Sequence, residues 1–366
     1  MTETGKQKSK RGVRYLRYLH VMGGIATAAM MSLSAPVHSA PANPPGPNDA
    51  IYMYKGADRD QKLLEAAKKE GSVTVYSSLS SGESTPLVAA FEKKYGIKVN
   101  FWRANSDQVA QRMMTEGQAR RYVVDVVETN GSEVEMAARE RLLSEFYSPY
   151  LADLPADAIA PSRLWVSDRS NFIVVAYNTN KVKRADLPTT YEGFLDPKWK
   201  GQVSIEASDI EWLATIVKTW GNDKGMKFFQ ALSATNPQMR AGHILLAQMV
   251  GAGEAPVALT VYNGEVESLK RKGTPIDWAP IQPVVGRPQG LGVAKNAPHP
   301  YAALLFADFV ISPENQQMYA SLGRVPTSSK AKSNLNNFPH VMIDTGAYLD
   351  ESDKWTKVWN ELLMKK

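Results

Sequence analysis

Polar side chains gather where the apolar runs of this sequence stop, and their types suit hydrogen bonding to a small molecule. Ser77 and Ser78 follow "GSVTVY", Asn130 follows "YVVDVVET", Ser208 and Asp209 follow "GQVSIEA", and Tyr262 and Asn263 close "APVALTVYN". Hydroxyls and amides both donate and accept, a phenol adds an aromatic face, and Asp209 and Arg169 offer one charge of each sign. If the runs are parallel strands, these loops stand at their carboxyl ends, where helix N-termini and unpaired backbone N–H groups can face a ligand. Plainer uses exist for the same residues. Ser208 stands three before Glu211, the spacing of a capping box, Asn263 could cap a helix, and Ser77 and Ser78 could be simple turn residues.

Bond-making chemistry finds little support. His20 and His38 lie near the N-terminus, and His243, His299 and His340 are scattered without the close pairing of a metal site or a Ser/His triad. Neither a G-x-x-x-x-G-K-[ST] loop nor a G-x-S-x-G elbow occurs, and no carboxylates single themselves out as an acid/base pair. Without cysteine the chain has no disulfide, thiolate zinc site or cysteine nucleophile. The expectation is a binding protein, not an enzyme, with no cofactor and no metal ligands assigned. An exported enzyme on a similar scaffold would need a convergent nucleophile and base, which the sequence does not offer.

Alternating strands and helices must position these loops. "STPLVAAFEKKYG" reads as a helix with Thr85 as N-cap, Pro86 at its first position and Gly96 just past its end. The strand "IKVNFW", a helix burying Val109 and Met113, and the strand "YVVDVVE" follow; the next helix opens on Ser132 and Glu135 at capping-box spacing. Three strand–helix units imply a parallel, doubly wound sheet. A second set starts near "NFIVVAYNTN", so the 366 residues are expected to form two doubly wound α/β lobes. Near the end, "APHPYAALLFADFVISPENQQMYASLG" reads as two helices divided at Ser312-Pro313.

The formal charge of +6 does not point to a polyanionic partner. Lys6, Lys8, Lys10, Arg11, Arg14 and Arg17 precede a short apolar run, Val21 to Leu33, that ends in Ala40-Pro41-Ala42. A basic head, an apolar run too short to span a bilayer and an A-x-A site make a secretory signal over residues 1–42. Its removal would take six basic residues and Glu3, leaving a charge near +1. The mature product is expected in the periplasm, with no nucleic-acid partner, behind a Pro-rich disordered linker over 43–50.

With these segments in order, the chain resembles the periplasmic solute-binding proteins of ABC importers, the iron(III)-type group of the type II superfamily. The resemblance is carried by "AAKKEGSVTVYSSLS", "FEKKYGIKVNFW", "VVDVVETN", "VVAYNTNKV", "LDPKWKGQVSIEA", "GEAPVALTVYN" and "APHPYAALLFADFVISPENQQ". It implies the type II periplasmic binding protein fold, with lobe 1 over 51–170 and 280–330, lobe 2 over 171–279, a hinge of crossing strands, and a C-terminal helical segment, 331–366, packing on the lobes. It also implies a monomer that closes on a small polar solute and passes it to a membrane permease; a ligand-loaded sensor would share the fold. Iron-binding members commonly use a first-loop histidine, a carboxylate after the third strand and adjacent tyrosines in the second lobe. Carried over by position, these places hold Ser80, Asn130, and Asn263 with Gly264, and only Tyr262 stands beside them. The resemblance therefore points to a ligand cleft built from Ser77, Ser78, Asn130, Arg169, Ser208, Asp209, Tyr262 and Asn263, with ferric iron or a ferric complex as the alternative cargo. Asp209 and Glu211 would repel an anion at close range.

Overall fold

The computed structural model describes residues 44–364. The signal-peptide expectation for 1–42 lies outside the described residues. Residues 44–50 are not the loose linker their prolines suggest. Asn48 Nδ2 donates to the carbonyls of Lys295 and Ala297 at 3.3 and 3.1 Å, Lys295 Nζ donates to the Pro44 carbonyl, and helix α1 (Asp49–Tyr52) buries Tyr52. Specific hydrogen bonds here outweigh a composition that favours disorder. Among the described residues no helix is long and apolar enough to cross a membrane.

The first lobe runs α2 (Arg59–Glu70), β1 (Ser72–Ser77), α3 (Ser81–Tyr95), β2 (Lys98–Arg103), α4 (Ser106–Gln118), β3 (Val126–Asn130) and α5 (Gly131–Arg139). β1 pairs in parallel with β2 and with β3, so their loops open on one edge. Helix α3 begins earlier than the Thr85–Pro86 signal predicts. Ser80 is its N-cap, and Glu83 Oε2 accepts from the Ser80 N–H at 3.2 Å and the Ser80 hydroxyl at 2.5 Å, which leaves Pro86 inside the helix. Its end is as read, with Gly96 left-handed at φ 70°. Helix α5 likewise starts on Asn130, and Ser132 is used elsewhere.

After the short β4 (Leu143–Ser144) comes β5 (Val166–Asn178), then the second lobe: β6 (Val203–Glu206), α6 (Ile210–Trp220), α7 (Asn222–Ala234), β7 (Gln238–Arg240), α8 (His243–Ala252), β8 (Val257–Tyr262), α9 (Asn263–Arg271) and β9 (Ile276–Ala279). β6 pairs in parallel with β7 and β8. The chain returns through β10 (Val284–Ala294), α10 (Pro300–Ile311), α11 (Pro313–Ser321), β11 (Val325–Pro326) and β12 (His340–Met342) to α12 (Thr345–Asp350) and α13 (Ser352–Trp359). Ser312 caps α11 by accepting from the Asn315 N–H, which divides α10 from α11 where the sequence places the break.

Strands β5 and β10 are the antiparallel pair that passes through both lobes. The strand order β2-β1-β3-β10-β5-β8-β6-β7 puts them in the middle. The Gln289–Val293 end of β10 pairs with β3, and its Val284–Gly286 end pairs with β12 and β5. The two larger of four apolar clusters among the described residues follow: one gathers residues such as Val75, Phe91, Leu291 and Phe306, the other Ile173, Trp212, Phe229 and Val285. The C-terminal segment buries Trp355 and Trp359 in the second core, while Arg139 of α5 holds the Gly346 carbonyl at 3.0 Å and Asp350 at 2.7 Å. Trp212 is fully buried against Phe229 and Tyr191.

Candidate functional site

The first-lobe rim is built where β1 and β3 end side by side. The Ser78 N–H donates to the Glu128 carbonyl at 3.1 Å, and the Thr129 hydroxyl donates to Ser78 Oγ at 3.0 Å. Beneath them lies a buried ion network. Arg169 pairs with Glu83 at 3.1 Å and with Glu128, whose other oxygen accepts from Ser77. Arg324 pairs with the same Glu83 oxygen at 3.1 Å and with Glu265 of α9 at 3.0 Å, tying the first lobe to the second. Burial would raise the Glu83 carboxyl, but the Arg169 and Arg324 guanidiniums hold it below the ordinary carboxylate range. Asp168 goes the other way: burial outweighs Arg169, and nearby Glu128 adds to the rise, so its carboxyl is held well above that range.

The second-lobe rim gathers around one arginine from the crossing strands. Arg287 donates through Nη1 to the Tyr262 phenol oxygen and through Nη2 to Asp209 Oδ1 at 3.1 Å, and its Nε lies 2.6 Å from Glu211 Oε2. His243 stacks on Tyr262 with ring centres 3.8 Å apart, and its Nε2 lies 3.2 Å from Asp209 Oδ1. Burial opposes ionisation of both partners, yet their mutual attraction prevails, raising His243 and, with Arg287, lowering Asp209. Burial pushes the Tyr262 phenol up, and Glu133 at the start of α5 is pushed up to about 7 by burial and by Glu211. Ser132 of the first lobe donates to Glu211, so this cluster too joins the two lobes.

Glu206, Asp209 and His243 each bring one ligand-type atom, all within 4.8 Å of one another. Asp209 Oδ2 is buried with no hydrogen-bond partner among the described residues. With the Tyr262 phenol beside them, these groups form a donor set of anionic oxygen and imidazole, the types that hard trivalent metals prefer.

The eight residues singled out by sequence fall into different places. Asp209 and Tyr262 meet through Arg287, and half-buried Ser78 and Asn130 lie on the first-lobe rim, where Asn130 Oδ1 accepts from Gln289 at 3.0 Å. The other four are committed within the protein. Ser77 serves Glu128, and Arg169 serves two glutamates instead of waiting for an anion. Ser208 does not cap α6, whose N-cap is Asp209; its N–H and hydroxyl both donate to Glu206 Oε2 at 2.7 Å, so it supports one carboxylate of the donor set from within the protein. Asn263 spends its amide on the Leu335 carbonyl at 2.7 Å and its oxygen on the Gly264 N–H at 2.9 Å.

Sequence reasoning does not find Arg287, His243 or Glu206, and it reads Glu211 only as a capping-box partner of Ser208 and a carboxylate that repels an anion. His243 has no charged partner nearby in sequence: Asp209 is 34 positions away and Arg287 is 44. The one available signal is Arg287 itself, a lone charge in the apolar stretch "PVVGRPQGLGVA", since buried arginine needs a paired anion.

A family model for bacterial extracellular solute-binding proteins matches residues 86–341. Iron uptake protein A1 of Synechocystis sp. is 28% identical over 305 residues, covering 76% of this chain and 83% of that protein. The major ferric iron-binding protein of Neisseria meningitidis is 25% identical over 300 residues, covering 76% and 85%. Iron-bound HitA from Pseudomonas aeruginosa superposes with a TM-score of 0.70 at 21% identity over 80% of this chain and 99% of that one. AfuA from Actinobacillus pleuropneumoniae, with fructose-6-phosphate bound, gives 0.72 at 21% identity over 81% and 100%. These structural likenesses carry the two-lobed α/β fold.

Proposed function

The chain belongs to the bacterial extracellular solute-binding proteins, and from that premise we propose that it captures ferric iron, free or as a small ferric complex, between its lobes for delivery to the permease of an ABC importer. The family consists of proteins that bind and hand over a solute without changing its bonds. The choice of ferric cargo rests on one observation: Glu206, Asp209 and His243 converge within 4.8 Å beside the phenol of Tyr262. Position-by-position comparison points away from iron because it looks for ligands at Ser80, Asn130, Asn263 and Gly264. The donor types are present, but they come from β6, the start of α6, and α8. The relatives' names favour the same cargo.

Each group has a part in this reading. Asp209 and Glu206 supply anionic oxygens, His243 a ring nitrogen, and Tyr262 a phenolate once the cation has offset the burial that keeps its proton on. Ser78 and Asn130 on the opposite rim would complete the enclosure, hydrogen-bonding to cargo-bound oxygen as the lobes close.

Titration of the apo-protein with ferric nitrilotriacetate tests this. A visible tyrosinate-to-iron band should grow to one equivalent and be absent in Tyr262→Phe. Native mass spectrometry showing an organic phosphate carried by the protein, with no band on adding iron, would overturn the ferric reading and leave the family assignment intact.

A further inference from the structure

We propose that Arg287 sets the affinity threshold of the second-lobe donor set, holding its donors as an internal cation that cargo must displace. The inference rests on reading this cleft as a metal-cargo site. Arg287 comes from β10 where the two long strands cross, and it is 5% exposed. Its Nη1 donates to Tyr262 and lies 3.4 Å from His243 Nε2, its Nη2 donates to Asp209 at 3.1 Å, and its Nε lies 2.6 Å from Glu211. Three of the four donors a metal would use, Tyr262, His243 and Asp209, thus already face a positive charge.

The guanidinium suits this role because it is planar, always charged and able to fork onto several acceptors at once. A metal ion drawing on the same oxygens would be pressed against that charge unless the arginine swung aside. Every cation therefore meets the same displacement cost. A trication gains enough from the carboxylates and the phenolate to meet it, whereas a weakly held divalent ion does not. Removing the guanidinium would leave Asp209 and Glu211 as buried anions without their counter-charge, an arrangement that recruits whatever cation is at hand. The competing role for Arg287, gripping an anion that accompanies the metal, predicts the opposite sign: removal would then weaken binding.

Calorimetric titration of wild type, Arg287→Lys and Arg287→Gln with zinc chloride, manganese chloride and ferric nitrilotriacetate decides between them. Affinity for zinc and manganese should rise at least about tenfold in Arg287→Gln. Arg287→Lys keeps the charge but cannot fork, and should gain about threefold. Unchanged or weaker binding of all three metals in a variant with wild-type circular dichroism overturns the proposal. If Arg287→Gln does not fold, the same criterion applies to Arg287→Lys. Gain of zinc binding with no ferric binding in any of the three proteins would support the threshold role while removing iron as the cargo.

Discussion

Gly264 and Arg324 are in a contact that only glycine permits. A Cβ at Gly264 would stand 2.6 Å from Arg324 Nη1 and 3.2 Å from the Gly323 carbonyl oxygen. Arg324 cannot easily yield, since its other nitrogens hold Glu83 in one lobe and Glu265 in the other. Gly264 thus leaves room for an arginine that forms an interlobe ion pair. Gly264→Ala should cost about 1–3 kcal/mol of stability through overpacking, read as a lowered Tm, and the bulkier Gly264→Tyr should lower the Tm further by displacing Arg324 from Glu83 and Glu265. An unchanged Tm in Gly264→Ala would show that Arg324 is free to move.

Glu83 should make stability depend on acid pH. Its folded-state pKa lies below the ordinary value of 4.5, so the native state binds fewer protons than the unfolded chain in that range. The stabilisation is complete above about pH 4.5 and is lost as pH falls through the lower folded value. Glu83→Gln should lower stability at neutral pH by about 3–5 kcal/mol, because it leaves buried arginine charge short of a partner, and should flatten the acid limb of Tm against pH. Asp168 is the contrasting case. Its carboxyl is held well above the ordinary range and its Oδ1 has no hydrogen-bond partner among the described residues, so Asp168→Asn should leave Tm at neutral pH unchanged or higher. An acid limb identical in Glu83→Gln and wild type would refute the assignment.

Ser77 and Ser78 are adjacent but should respond differently. Ser77 is buried and donates to Glu128, so Ser77→Ala should cost about 1–3 kcal/mol of stability. Ser78 is half-buried on the rim, so Ser78→Ala should keep the Tm and weaken cargo binding by about three- to thirtyfold. Calorimetric affinity measured beside thermal melts separates the two, and equal loss of affinity in both variants would merge them into one rim.

Much of the fold could be read along the chain. Strand–helix alternation and Gly96 mark elements that form through neighbours in sequence, and Ser312-Pro313 stops one helix and caps the next within four residues. Helix starts at α3, α5 and α6 were read less well. Two capping signals compete within a few residues there, and tertiary partners decide which one is used: Ser80 with Glu83 caps α3, while Ser132 and Ser208 turn to Glu211 and Glu206.

The candidate site divides along the same line. Sequence by itself determined that polar loops follow the parallel strands and that Asp209 and Tyr262 end two of them, because strand ends are set by local hydrophobic pattern. Only the tertiary structure decided which of those polar groups are paired off separately and which converge on one point. Arg169, 41 positions from Glu128 and 86 from Glu83, closes with them as a buried ion network, whereas Arg287 brings Asp209, Glu211 and Tyr262 to one point from 25 to 78 positions away. A buried charge must find its counter-charge wherever the fold supplies it, and that pairing depends on three-dimensional proximity, which no spacing along a single chain encodes.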